Sequence, residues 1–352
     1  MCVTIRGKNE HSYIWDLFHA FLSAMALSTL PVGTIQSLRQ SIHLLLEQCS
    51  VDLQTQRTIP FDNDLFSLAC KEAALHGLLV DHGIATSFRP FIKHGADTVT
   101  ACFSHIQDTR SRIYMILYLA SFFCLDDKLN PEHQSDAESI AQELFSSMMG
   151  RMTPSEPMQK LYSFLLTEAP NCFPNPPTSN IIVTGSLNFI TSAILDYHTQ
   201  GMKVPASAKR YTRFARDLSG FNEVMGLFIF PSSIPVIAYI AALPDLMVFI
   251  GSANDVLSFY KEESAGEEMN QVSLLASCSE CPKIEAVKQL VDNTVGAHRN
   301  ILDILRPNEA ALDAYLSFSD GYLRAHVGIS RYRLEELGIR SGLIYSYRIA
   351  CL

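Results

Sequence analysis

Several common patterns are missing from this chain of 352 residues. No run of alternating apolar and polar residues is long enough to suggest a half-buried strand, and no G-x-G-x-x-G or P-loop occurs. Positive charge is also scarce. Lys and Arg number 27 against 36 Asp and Glu, a net charge of −9 at pH 7. That balance argues against a nucleic-acid or anionic-membrane surface, so an anionic substrate would need a local basic cluster or metal ions. Cysteine pairs at zinc-finger spacing are absent too. Of nine cysteines, only Cys278 and Cys281 form a C-x-x-C, in a Ser-rich stretch read as a loop. Incidental thiols in a reduced, cytoplasmic protein fit that usage. An uninterrupted apolar span of about 20 residues is lacking. Leu227 to Ala253 contains no Lys or Arg and Asp245 as its one acid, but Pro231, Pro235 and Pro244 punctuate it. The segment reads as a broken helical connection entering a buried helix, and no membrane span is expected. Glu10 and Asp16 interrupt the first thirty residues, so no leader is expected, and Cys351 stands in the wrong place for prenylation.

What remains is helical periodicity. Hydrophobic residues make up 48% and charged residues 18%, enough apolar surface for a large core. Apolar residues recur at i, i+3, i+4 and i+7 over Tyr13–Ser28, Val32–Cys49, Asp62–Leu79 and Phe91–His105. Ser111–Leu125 is apolar nearly all round, the mark of a helix buried on every side. Asp136–Met149 and Glu156–Thr167 look peripheral, and Pro170–Pro177 reads as an irregular loop. Ser179–Tyr197, Ser207–Phe221, Pro244–Glu263, Pro282–Leu305 and Pro307–Arg333 follow. The expectation is an all-α fold of ten to twelve helices in a single domain covering 1–352.

The chemistry concentrates in Asn254-Asp255-Val256-Leu257-Ser258-Phe259-Tyr260-Lys261-Glu262. Positions i, i+4 and i+8 advance by only about 40° per step on a helix, so Asn254, Ser258 and Glu262 share one face. They form a ladder roughly 12 Å tall, ending in a carboxylate. An amide oxygen, a hydroxyl and a carboxylate are hard donors suited to Mg²⁺. Lys261 lies about 20° from that column and places a cation beside it. Taken alone, the triplet also fits a partly buried helix whose polar residues satisfy one another.

A second acidic face ends the buried helix, at Asp126-Asp127-Lys128-Leu129-Asn130-Pro131. Adjacent carboxylates at an apolar mouth, beside the negative end of the helix dipole, are costly unless they bind a cation or reach solvent. Two basic clusters complete the set, Lys209-Arg210-Tyr211-Thr212-Arg213-Phe214-Ala215-Arg216 and Arg331-Tyr332-Arg333. Arg forks and a Tyr hydroxyl suit phosphate oxygens, although each cluster alone also reads as a solvated face.

In order and separation these motifs resemble the class I terpene cyclases, and specifically the fungal trichodiene synthase group, over residues 110 to 337. The resemblance rests on Asp126-Asp127-x-x-Asn130, Asn254-Asp255-x-x-Ser258-x-x-x-Glu262, Arg216-x-x-Ser219-Gly220 and Arg331-Tyr332-Arg333-Leu334. It implies a helical bundle around a central cavity, where farnesyl diphosphate is ionised with three Mg²⁺ (or Mn²⁺) and the allylic cation is cyclised. It also implies that Asp126 bridges two metals while Asn254, Ser258 and Glu262 chelate the third. Arg216, Lys261, Arg331 and Tyr332 would hold the diphosphate; Asp126, Arg216, Arg331 and Tyr332 would carry the ionisation. Asp127 would face the rim and pair with Arg331, and Ser219-Gly220 would form a helix break. The family usually has an acid at the place of Asn130, and the first hundred residues match weakly. Tyr322 and Ala325 fall on the inner wall; trichodiene synthases tend to carry a bulky Trp at the latter place, so a main product other than trichodiene is expected. A homodimer is what the family suggests. Three rivals remain: an isoprenyl diphosphate synthase, a non-catalytic isoprenoid-binding protein, and a structural helical interaction protein, which would leave the two metal faces unexplained.

Overall fold

Apolar residues at helical spacing along so much of the chain leave little alternative to helix packed on helix. The computed structural model describes residues 30–55, 57–78, 88–129, 137–199, 201–267, 270–340 and 343–346. Thirteen α-helices lie among them. The first seven are α1 (Val32–Gln48), α2 (Asn63–Leu75), α3 (Arg89–Cys102), α4 (Thr109–Leu129), α5 (Ala137–Met148), α6 (Pro157–Cys172) and α7 (Pro176–His198). The remaining six are α8 (Lys209–Leu218), α9 (Phe221–Phe228), α10 (Leu243–Ala265), α11 (Gln271–Ser279), α12 (Lys283–Leu305) and α13 (Glu309–Gly328). Two four-residue strands, β1 (Arg57–Pro60) and β2 (Leu343–Ser346), pair in parallel with Arg57 opposite Leu343. The fold is all-α as expected, and the strand pair is too short to show as alternation. The helix expected over Tyr13–Ser28 lies outside the described residues.

Two helices form the interior. In α10, Leu246, Phe249, Ile250, Ala253, Val256 and Leu257 are fully buried; it packs against α9 and α12. In α4, Met115, Ile116, Leu117, Leu119 and Ala120 are fully buried; it packs against α3 and α6. Their side chains join one hydrophobic cluster reaching from Leu38 in α1 to Ile339. A smaller cluster around Leu125, Tyr162, Phe189 and Ile190 ties α4 to α5, α6 and α7. By length and composition α7 and Ile240–Ala265 could each cross a membrane, but most of the apolar window in the second is buried by its neighbours.

Helix starts follow local chemistry. Asp62, Asn175, Asn270 and Asn308 cap α2, α7, α11 and α13, each accepting from a backbone N–H three residues on. Three expectations change. Pro170 lies inside α6 and Pro176 and Pro177 open α7, so only Phe173–Asn175 is loop. Proline is tolerated at a first helical turn because that N–H needs no partner. The Ser-rich stretch near the C-x-x-C is not all loop: Cys278 is buried in α11, where its thiol reaches the Val204 carbonyl at 3.8 Å. The helix expected over Ser207–Phe221 stops at Leu218, and α9 begins at Phe221.

The break between α8 and α9 has a steric cause. Gly220 adopts φ +64°, the left-handed region, and its Cα packs on the backbone of Gly185 in α7. A Cβ there would stand 2.3 Å from the Gly185 carbonyl oxygen. Only glycine satisfies both demands. The crossing holds the end of α8, with Arg216, against the middle of α7 and beside α10.

Candidate active site

A cavity of about 330 Å³ opens where α3, α4, α7, α8, α9, α10, α11 and α13 converge. Its size lies at the lower end of the range for small-molecule pockets. Aromatic rings build much of its wall. Phe122 of α4 stacks between Phe189 of α7 and Phe221 of α9, with centroids 4.3 and 4.0 Å away. Tyr322 and Ala325 of α13, Cys102, Met225, Leu274 and Ile329 line it too. Tyr322 donates its hydroxyl to the Ile250 carbonyl at 2.9 Å, which fixes the ring as wall. A larger, more open groove beside His43, Glu47, Asp52 and Arg340 carries none of the motif residues.

The polar residues singled out from the sequence meet at this same cavity. Asp126 comes from the end of α4; Asn254, Ser258, Lys261 and Glu262 come from α10. Arg216 and Ser219 lie at the end of α8, and Arg331 and Tyr332 follow α13 in a short 3₁₀ turn. The side chain of Asp127 and the whole of Asn130 lie outside the described residues. Gly220 is set back, acting through the backbone crossing with Gly185.

Arg216 is the hub of the polar wall. Its Nη2 stands 3.1 Å from Asp255 Oδ1, 3.1 Å from Asn254 Oδ1 and 3.4 Å from the Gly251 carbonyl. Burial disfavours the guanidinium charge, but Asp255, with Tyr322, Glu262 and Asp126 further off, holds it firmly protonated. Gly251 makes room for this arrangement, since a Cβ there would meet the Asn222 amide at 2.5 Å and Arg216 Nε at 3.4 Å. Lys261 Nζ pairs with Glu267 at 3.2 Å. Tyr332 stacks on His326 with centroids 4.5 Å apart, and burial pushes its hydroxyl up to about 12, keeping it a donor.

The acidic side is unsettled without a cation. Burial pushes the Glu262 carboxyl up to about 7, although Ser258 and Lys261 favour its charged form. The Ser258 hydroxyl stands near that carboxyl without a well-formed hydrogen bond, and Asp255 Oδ2 is buried without one. Such orphaned oxygens are what a hard cation would satisfy. Among the described residues no three His, Cys, Asp or Glu side chains converge on one point. The donors form an open set of carboxylate, amide and hydroxyl, as Mg²⁺ accepts when phosphate oxygens complete its shell. The residues present fit that ion.

Three cavity residues escaped sequence reasoning. Asp196, in the last turn of α7, faces the mouth, and burial together with the Asp126 charge raises its carboxyl to about 6. His94 of α3 packs against Phe123, ring centroids 4.4 Å apart and planes tilted by 56°, and burial first, then Arg331, lowers it to about 4. His326 of α13 is fully enclosed; burial likewise lowers it to about 4. Single residues on three separate helices leave no motif. For His326 the one signal was its place five residues before Arg331.

The trichodiene synthase (TRI5) family model matches residues 90–344. The chain is 28% identical over 300 residues to the alpha-cuprenene synthase of Coprinopsis cinerea, covering 85% of this chain and 90% of that protein. It is 30% identical over 306 residues to terpene synthase 29 of Postia placenta, covering 85% and 84%. Among solved structures, the linalool/nerolidol synthase from Streptomyces clavuligerus superposes with a TM-score of 0.58 at 16% identity, over 77% of this chain and 98% of that one. That likeness is one of fold.

Proposed function

Because this chain belongs to the trichodiene synthase family and is a terpene synthase, we propose that it ionises farnesyl diphosphate with Mg²⁺ and cyclises the resulting cation to a sesquiterpene, releasing diphosphate. The observation that carries this reading is one cavity in which an aromatic wall meets both an oxygen-donor set and a cationic set.

Asp126, Asn254, Ser258 and Glu262 would hold the metal, with three ions the expected number and Mn²⁺ an acceptable substitute. When bound, Mg²⁺ supplies the charge that neutralises a departing diphosphate. Arg216, Lys261, Arg331 and Tyr332 donate hydrogen bonds to phosphate oxygens, and these strengthen as negative charge grows on the leaving group. The rings of Phe122, Phe189, Phe221 and Tyr322 keep water from the hydrocarbon chain and offer π faces to the cation. No Ser-His-Asp or Cys-His arrangement is needed, since the released diphosphate can accept the final proton.

The enzyme acts as a single catalytic domain in the cytoplasm. The net charge of −9 supports the absence of nucleic acid among its partners, and the burial of α10 supports the absence of a membrane span. Assembly as a homodimer rests on the family alone.

A shorter substrate is the second reading. The modest cavity volume favours it, and a 26% identical relative over 279 residues is monoterpene synthase 25 of Postia placenta. Incubating pure protein with geranyl or farnesyl diphosphate and Mg²⁺, then analysing the volatiles, separates these. Cyclic C15 hydrocarbon or alcohol released with diphosphate is the expected result. A longer prenyl diphosphate formed once isopentenyl diphosphate is added as a C5 donor would instead mean chain elongation, and no turnover of any of these substrates would leave a binding protein.

A further inference from the structure

His326 joins the wall of the cavity to a metal-donor residue through two hydrogen bonds whose directions are fixed. Its Nδ1 lies 2.8 Å from the Tyr322 carbonyl oxygen, one turn back on α13. A carbonyl only accepts, so Nδ1 carries the proton and Nε2 the lone pair. That lone pair lies 3.2 Å from Asn254 Nδ2, which donates to it. On its other side, Asn254 Oδ1 accepts from Arg216 Nη2 at 3.1 Å, and a guanidinium can only donate. Both neighbours therefore demand one orientation of the amide, with NH₂ towards His326 and oxygen towards the Arg216 side of the cavity. The rings of Tyr322 and Tyr332, at centroid distances of 4.4 and 4.5 Å, keep the imidazole in place.

We propose that His326 is a positioning residue that sets the polarity of the Asn254 amide, so that oxygen and not nitrogen is presented to a divalent cation. This rests on the metal reading above. Of the three ladder residues, Asn254 alone can face a cation with the wrong atom. A hydroxyl and a carboxylate offer oxygen however they turn, whereas an amide rotated by half a turn offers a donor NH₂. When a cation or diphosphate draws Arg216 away, the Arg216 restraint on Asn254 is lost, and the His326 lone pair is the one that persists. The arrangement has the logic of an outer partner orienting a metal ligand.

Calorimetric titration of inorganic diphosphate, at a series of Mg²⁺ concentrations, tests this without turnover. In His326→Phe, which keeps a ring between the tyrosines but has no lone pair, the Mg²⁺ needed for half-maximal diphosphate binding should rise roughly 10- to 100-fold. Asn254→Asp added to His326→Phe should bring it back towards the wild-type value, because a carboxylate needs no orienting partner. An unchanged Mg²⁺ requirement in His326→Phe, or a double variant as weak as the single one, overturns the proposal. Wild-type protein that binds no diphosphate in Mg²⁺ would instead sink the metal reading itself. Should His326→Phe fail to fold, ¹⁵N NMR of histidine-labelled wild type decides. The Nδ1–H tautomer at His326 is expected, and the Nε2–H tautomer overturns the proposal.

Discussion

Arg216 and Asn254 occupy each other in this structure, with the guanidinium Nη2 3.1 Å from the amide Oδ1. The same Nη2 reaches Asp255 at 3.1 Å. On the proposed metal reading, Asn254 Oδ1 would serve either Arg216 or a cation, and an Arg216 released from it would have an N–H to offer a phosphate, so metal and diphosphate binding would be coupled through this contact.

Arg216→Ala should lower both stability and turnover. Asp255 is almost fully buried, and removing one partner of a buried ion pair costs roughly 3–5 kcal/mol. Arg216→Lys keeps a cation beside Asp255 but loses the fork, so it should melt near the wild-type temperature and still turn over poorly. Thermal melts and steady-state kinetics on both variants check this. A wild-type melting temperature for Arg216→Ala would show that the pair contributes nothing to the fold.

Asp126→Ala and Glu262→Ala should each cut turnover by two or more orders of magnitude, since a lost metal ligand removes several kcal/mol of charge stabilisation. Asp126 is exposed at the mouth, so its variant should keep the wild-type melting temperature. Normal rates at saturating Mg²⁺ in either variant would remove that residue from the donor set.

Ala325→Trp should change the product ratio while leaving Mg²⁺ dependence and substrate KM within a few-fold. Ala325 is buried on α13 and lines the cavity one turn from Tyr322. An indole adds on the order of 200 Å² of surface and a new π face. Volatile analysis reads the outcome, and an unchanged profile at normal turnover would place Ala325 outside the reacting volume. A wild-type enzyme making mostly trichodiene would refute the expectation drawn from the missing Trp.

His94 should make the protein acid-sensitive. Burial, with Arg331 and Lys93 nearby, lowers its folded pKa from 6.5 to about 4, while the unfolded chain takes up the proton near 6.5. The stability from the neutral ring is present above pH 6.5 and is lost as pH falls through about 4. His94→Phe retains a ring against Phe123 and removes the titration. Melting temperatures of the two proteins should run parallel above pH 7, with the wild type falling away more steeply below pH 6. Parallel curves down to pH 4 would sink the assignment.

The long helices were legible because burial imposes a 3.6-residue repeat that the composition cannot hide. Helices α9 and α11 were not. The first is eight residues of mostly buried side chains; the resemblance implied a break at Ser219-Gly220, but the expected helix ran on to Phe221, and the cause of the break, Gly220 against Gly185 35 positions away, exists only in three dimensions. The second carries serines that suit a loop equally well, and its stop after Ser279 depends on Glu280 adopting φ +50°. The site was legible where function needs several residues in one register, as at Asn254, Ser258 and Glu262. Asp196, His94 and His326 each stand alone on a separate helix. Their relation to the cavity exists only in three dimensions. The same holds for the packing of Phe122 between Phe189 and Phe221, which brings three helices together.

The seam between Gly185 and Gly220 sets where this enzyme can diverge. At Gly220 any side chain meets backbone at 2.3 Å, and at Gly185 a Cβ would meet the Val224 side chain at 2.7 Å. The Gly220 clash is with backbone and cannot be relieved by a rotamer change, while at Gly185 the stiff, β-branched Val224 would have to move, so a side chain at either position strains the crossing of α7 and α8. New product chemistry must therefore accumulate at wall positions whose side chains end in the cavity, such as Ala325, Met225 and Leu274. Lineages that share this seam can drift apart in product while the end of α8 that carries Arg216 stays where it is.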